Sequence, residues 1–184
     1  MRNTLLFRCM VLIVAVLLLP GIAQSLELVS DAFEEGGTIP IKYTGKGENI
    51  SPPLSWSDVP KGTKSFALIM EDPDAPMGTW IHWVIYDIPG DSRELNEGTP
   101  GNLVLEDGTR QGINSFRWAG YGGPAPPPGS SHRYFFRLYA LDTVLDLAPG
   151  ANKGLLTRTM QGNILGQARL IGIFPEPLTD LVPE

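Results

Sequence analysis

Glycine and proline recur 21 and 17 times along this 184-residue chain, so few stretches run uninterrupted for the length of an ordinary helix. The apolar segments between these breaks are mostly short, with strand-like alternation or β-branched content, and an all-β fold follows. Strands are predicted at about Leu26 to Ser30, Ile39 to Thr44, Lys64 to Glu71, Ile81 to Asp87, His132 to Leu141 and Gln167 to Phe174, with shorter pieces near Leu54 and Ile113. Phe66 to Met70 and Trp80 to Tyr86 are apolar at nearly every position, so both faces of those strands are expected to be covered within a central sheet packed against another layer. One helix is predicted between about Asn152 and Gln161, where Leu155, Leu156, Thr159 and Met160 share a face and Gly162 supplies a stop. A second short turn is predicted around Ser92 to Glu97.

At the N-terminus, Arg2 and Arg8 precede the apolar run Met10 to Leu19 and the small-residue stretch after Pro20, the order of a secretory signal peptide spanning residues 1–24. The run is about half the ~20 residues a membrane-spanning helix needs, which disfavours a retained anchor. The protein is therefore expected to be exported, whether periplasmic, envelope-bound or extracellular, with membrane contact only through an uncleaved signal. The sole cysteine, Cys9, would leave with the signal, so no disulfide or cysteine metal site is expected. Residues 25–184 fit one domain, and an apolar content of 42% suffices for a core. The formal charge is −6, and without Arg2 and Arg8 it becomes −8. Such a balance speaks against nucleic acid or a broad anionic membrane as partner, so any anion requires a local site.

Two segments concentrate the chemistry. In Glu71-Asp72-Pro73-Asp74-Ala75-Pro76, two carboxylates leave a core strand together, and alternate prolines hold the loop extended. The chain has only two histidines, His82 and His132, each on or at the mouth of a predicted strand. Strict alternation places His82 with Trp80 and Val84 on one strand face, and Ile81, Trp83 and Ile85 on the other. The second segment, Gly120 to Gly129, is a glycine-proline loop that delivers His132. Its glycines would let a ligand approach backbone N–H groups, and Tyr134 shares the face of His132. Each feature alone also fits a structural role: a proline-stiffened turn, or an imidazole satisfied by a carbonyl.

Asp72-Pro73-Asp74-Ala75-Pro76, Trp80-Ile81-His82, Gly120-Tyr121-Gly122-Gly123-Pro124 and His132-Arg133-Tyr134 together resemble the phosphatidylethanolamine-binding proteins, in particular their bacterial and archaeal Raf kinase inhibitor-like branch. The resemblance extends over nearly all of the chain after the signal, including Ile50 to Trp56. It implies a two-sheet antiparallel Greek-key sandwich with one or two short peripheral helices. It also implies a pocket for phosphate, acetate or a phosphorylated headgroup, lined or supported by Asp72, Asp74, Pro76, Trp80, His82, Gly123, His132 and Tyr134, with a cis peptide at Ala75-Pro76. Two departures stand out: Ala125 where many microbial relatives carry cysteine, and Asn163 where they often carry histidine.

The function expected is non-catalytic binding of a small anion or phosphorylated headgroup, with modulation or inhibition of a protein partner. In this reading both imidazoles donate to the ligand, their orientation supported by the aspartates, which would raise the imidazole pKa. No catalytic residue, metal or cofactor is assigned. Two alternatives remain: a hydrolase or phosphate-transfer enzyme using His82 and His132, and a metal site made from Asp72, Asp74, His82 and His132.

Overall fold

The computed structural model describes residues 25–175, so the signal segment and the chain after 175 lie outside it. Eight strands form two antiparallel sheets. The smaller sheet joins β1 (Glu27–Val29), β2 (Leu54–Ser57) and β5 (Glu94–Leu95), with β2 in the middle. The larger has the order β6-β4-β3-β7-β8, from Arg110–Gln111, Trp80–Pro89, Ser65–Asp72, His132–Leu141 and Ile164–Phe174 respectively. Strand β7 returns beside β3 after the chain has passed through β4, β5 and β6, a Greek-key return.

Strand β3 is buried along its whole length because it has covered faces on both sides. Phe66, Leu68 and Met70 join Leu28, Leu54 and Trp56 in the core between the sheets. Ala67 and Ile69 point the other way, toward a second cluster with Leu145, Leu156 and Met160. That outer layer includes α1 (Lys153–Met160), whose N-terminus is capped by Asn152 accepting from the Leu155 N–H at 2.9 Å. Leu156 and Met160 are buried, whereas Leu155 is 40% exposed, so the helix buries a narrower stripe than its spacing implies.

Several local expectations are corrected. Residues 39–44 form no strand: Pro40 has no N–H for a ladder, and a 3-10 turn over Ile41–Tyr43 closes where the Thr44 N–H and hydroxyl both donate to the Ile41 carbonyl. The segment predicted as a turn at Ser92 to Glu97 contains β5, which gains its structure from pairing with β2. The short piece expected near Ile113 is β6 at Arg110–Gln111, continued by isolated bridges from Gly112 to Gly150 and from Ile113 to Ala119. The peptide at Ala75-Pro76 is trans; among the described residues the cis bond is Phe174-Pro175. A gap of only ~0.5–1 kcal/mol between isomers leaves that choice to tertiary context, which a local motif does not determine.

Candidate functional site

Asp72 ends β3, Trp80 begins β4 and His132 begins β7, so antiparallel pairing brings all three to one end of the central sheet. A β-bulge adds His82. Met70 pairs with Trp83 but Glu71 pairs with Ile81, leaving His82 as the extra residue on β4. Its effect is visible in the packing: Trp83 lies in the inter-sheet core, whereas Ile81, two residues earlier, packs on the opposite cluster with Val84. Trp80 and His82 do share a side, both meeting Phe116 edge-on at 5.4 and 5.3 Å between ring centroids, but Val84 does not join them.

These residues open onto a cavity of about 250 Å³. Asp72, His82 and His132 supply its polar groups, while Trp80, Phe116, Pro76, Met77 and the Ala125-Pro126-Pro127 run supply its apolar walls. The His132 Nδ1–H donates to Asp72 Oδ2 at 2.7 Å, and Asp72 Oδ1 accepts the Asp74 N–H at 2.8 Å. The His82 Nδ1–H donates to the Gly122 carbonyl at 2.5 Å, because a carbonyl can only accept. Both imidazoles are thereby fixed through Nδ1, and Nε2 is the atom each has left for a ligand. Burial holds the His82 pKa below the ordinary imidazole value, outweighing the opposing influence of the Gly122 carbonyl and the Asp72 charge. The expected elevation by a neighbouring carboxylate therefore does not govern His82.

Three predicted site residues lie elsewhere. Asp74 turns to Arg133, accepting from its Nε at 2.9 Å, its Nη2 at 2.7 Å and its backbone N–H at 3.0 Å, and this holds the Asp74 carboxyl down at about 2. Gly123 is a packing glycine: its N–H donates to Asn49 Oδ1 at 2.7 Å, and a Cβ there would sit 2.5 Å from the Tyr43 carbonyl oxygen. Tyr134 is fully buried, with its ring edge-on to His82 at 5.2 Å, so it supports the imidazole from behind. The anticipated cradle of glycine N–H groups is likewise committed internally, since Gly122 donates to the His82 carbonyl at 2.9 Å. The two-aspartate, two-histidine metal set does not converge, because Asp74 faces Arg133; among the described residues no three His, Cys, Asp or Glu side chains group to hold a metal.

Phe116 is the aromatic lining residue outside the predicted set, which also lacked Met77 and the Ala125-Pro126-Pro127 run. Its ring lies over Gly122, where a Cβ would approach to 2.7 Å, and stacks on Trp118 at 4.8 Å with an 18° tilt. The Asn114 side chain organises this corner by accepting from the N–H groups of Phe116 and Trp118. Two aromatics within a loop otherwise rich in glycine and polar residues were the available signal.

Comparison with known proteins agrees with this architecture. The family model for phosphatidylethanolamine-binding proteins matches residues 29–175. A UPF0098 protein of Methanothermobacter thermautotrophicus is 56% identical over 149 residues, covering 81% of this chain and 98% of that protein. One from Aquifex aeolicus is 51% identical over 151 residues, covering 81% and 88%. The crystal structure of a phosphatidylethanolamine-binding protein homologue from Chlamydia trachomatis superposes with a TM-score of 0.76 at 42% identity, over 82% of this chain and 97% of that one. Escherichia coli YbcL, described as a member of the mammalian family, gives 0.75 at 32% identity, over 81% and 97%.

Proposed function

The chain belongs to the phosphatidylethanolamine-binding protein family, and we propose that it is an exported, non-catalytic binding protein whose cavity takes a small phosphorylated or carboxylate-like anion, acting as a modulator of a protein partner. The observation that carries this reading is the pair of imidazoles fixed through Nδ1, by Asp72 and by the Gly122 carbonyl, which leaves two Nε2 atoms at one cavity. Protonated, each Nε2 donates to an anionic oxygen; neutral, one of them accepts the O–H of a singly protonated phosphate. Among the described residues lining the cavity there is one carboxylate and no Lys or Arg, so the imidazoles are the groups of that lining able to bring positive charge to an anion. Binding through the protonated imidazoles is then coupled to proton uptake. The same lining holds no Ser, Thr, Cys or Lys, and its one carboxylate, Asp72, is engaged by His132 and by the Asp74 N–H, which favours binding over covalent catalysis.

Isothermal titration with phosphate and phosphorylethanolamine between about pH 5.5 and 8 tests the reading, beside folded His82→Ala and His132→Ala variants. Affinity that rises toward acid pH and is lost in both variants is expected; no binding by the wild type at any pH sinks the anion pocket. Export rests on the order of charged, apolar and small residues in the first 24 positions. N-terminal sequencing of protein isolated from its host is expected to find a start near Ser25, and a start at Met1 would overturn it.

A further inference from the structure

The cavity is much larger than its polar floor requires. Only Asp72, His82 and His132 in its lining carry ionisable groups, and its volume, about 250 Å³, comes close to the lower end of the ~300–1,000 Å³ typical of sites for organic ligands. The remainder is walled by Trp80, Phe116, Pro76, Met77 and the prolines after Ala125. These walls are costly to present: Met77 is 93% exposed, and Trp118, which backs Phe116, is 45% exposed. The Phe116 side of the wall is also fixed by hydrogen bonds. Asn114 fixes the backbone of Phe116 and Trp118, Ser115 Oγ accepts the Ile81 N–H at 2.9 Å, and prolines restrict the facing loop. An apolar shelf fixed in advance favours a ligand that covers it, because little ordering remains to be done on binding.

Resting on the anion-pocket reading, we infer that the ligand is a phosphate monoester, or an acid of similar head, whose attached group is compact and apolar, with Phe116 and Trp80 receiving that group while His82 and His132 receive the head. Free phosphate would use the floor and leave the walls uncovered. An ester ending in an ammonium would set a strongly hydrated charge against the same apolar walls, at a desolvation cost.

Titration calorimetry with inorganic phosphate, methyl phosphate, phosphorylethanolamine and phenyl phosphate at one acid pH separates the possibilities. Phenyl phosphate is expected to bind about tenfold or more tightly than methyl phosphate, from the apolar area its ring removes from water. In Phe116→Ala the ratio of the two affinities is expected to collapse toward unity, and Trp118→Ala, which removes the ring stacked behind Phe116 and its bond to the Tyr121 carbonyl, is expected to reduce it partly. Equal binding of phenyl and methyl phosphate by the wild type overturns this inference while leaving the anion pocket standing. Tighter binding of phosphorylethanolamine than of phenyl phosphate overturns it in favour of a polar tail. Failure of all four to bind overturns the anion pocket and this inference together. The wild-type comparison decides the matter even if a variant fails to fold.

Discussion

Replacing Gly123 by alanine separates two roles that a glycine beside a binding loop can have. The new Cβ would lie 2.5 Å from the Tyr43 carbonyl oxygen, 2.8 Å from the Thr44 Cα and 2.9 Å from Asn49 Oδ1. Two of these are backbone atoms, which cannot step aside as the end of a flexible side chain can. They belong to a latch in which Tyr121 Oη donates to the Tyr43 carbonyl at 2.6 Å and Gly45 N–H to the Pro124 carbonyl at 2.9 Å, so the cavity wall must move with them. Overpacking of this kind costs about 1–3 kcal/mol, and distortion of the Gly123 to Asn49 hydrogen bond adds about 1, for a loss of about 2–4 kcal/mol. For a domain of this size that lowers Tm by roughly 4–16 °C. Urea unfolding should show a lower midpoint at unchanged slope. If Gly123 instead served ligand approach, the variant would keep wild-type stability within ~0.5 kcal/mol and lose only phosphate binding. That outcome would refute the packing argument.

Two further predictions follow from the site's electrostatics. His82 is held below the ordinary imidazole pKa of ~6.5, so the unfolded chain takes up its proton first; the stability difference is present above that pH and is lost as pH falls through it. Urea midpoints at pH 7.5 and 5.5 should therefore differ less in His82→Gln than in wild type, and equal differences would contradict the assignment. Asp74→Asn breaks a partly exposed pair with Arg133 and leaves the cavity lining intact, so phosphate affinity should stay within about threefold of wild type. A loss comparable to that of His132→Ala would return Asp74 to the site.

The central strands were legible because their signal is redundant: Phe66 to Met70 and Trp80 to Tyr86 are apolar on both faces, and both faces are buried. The edges were less so. Strand β5 is two residues long and depends on pairing with β2, a contact that leaves little local trace. Residues 39–44 have strand-like composition, but Pro40 and the Thr44 hydroxyl give the backbone a competing local arrangement. The grouping of Asp72, Trp80, His82 and His132 was visible as a set of chemically apt residues around strand ends. Asp74, Gly123 and Tyr134 were apt by the same criterion, yet the structure pairs Asp74 with Arg133 and Gly123 with Asn49, and buries the Tyr134 ring against His82 with no partner for its hydroxyl among the described residues. Sequence supplies the inventory of donors and acceptors, whereas the partners that consume them come from elements tens of residues away.

The bulge at His82 shows why this gap has functional weight. Perfect alternation from Val84 back through His82 would put the imidazole on the side occupied by Val84 and Tyr86, against the helix layer. One extra residue on β4 reverses that assignment. Ile81 then covers the helix-side cluster, while His82 faces Tyr134 and Phe116 and reaches the Gly122 carbonyl. The Gly122 N–H returns a bond to the His82 carbonyl, so the bulge and the glycine-proline loop hold each other in register. An imidazole oriented by a carbonyl cannot offer Nδ1 to a ligand, and His132 is restricted in the same way by Asp72. The pocket therefore offers a ligand two Nε2 atoms, and pH is the variable that most directly tests the proposed anion binding against a purely structural use of the histidines.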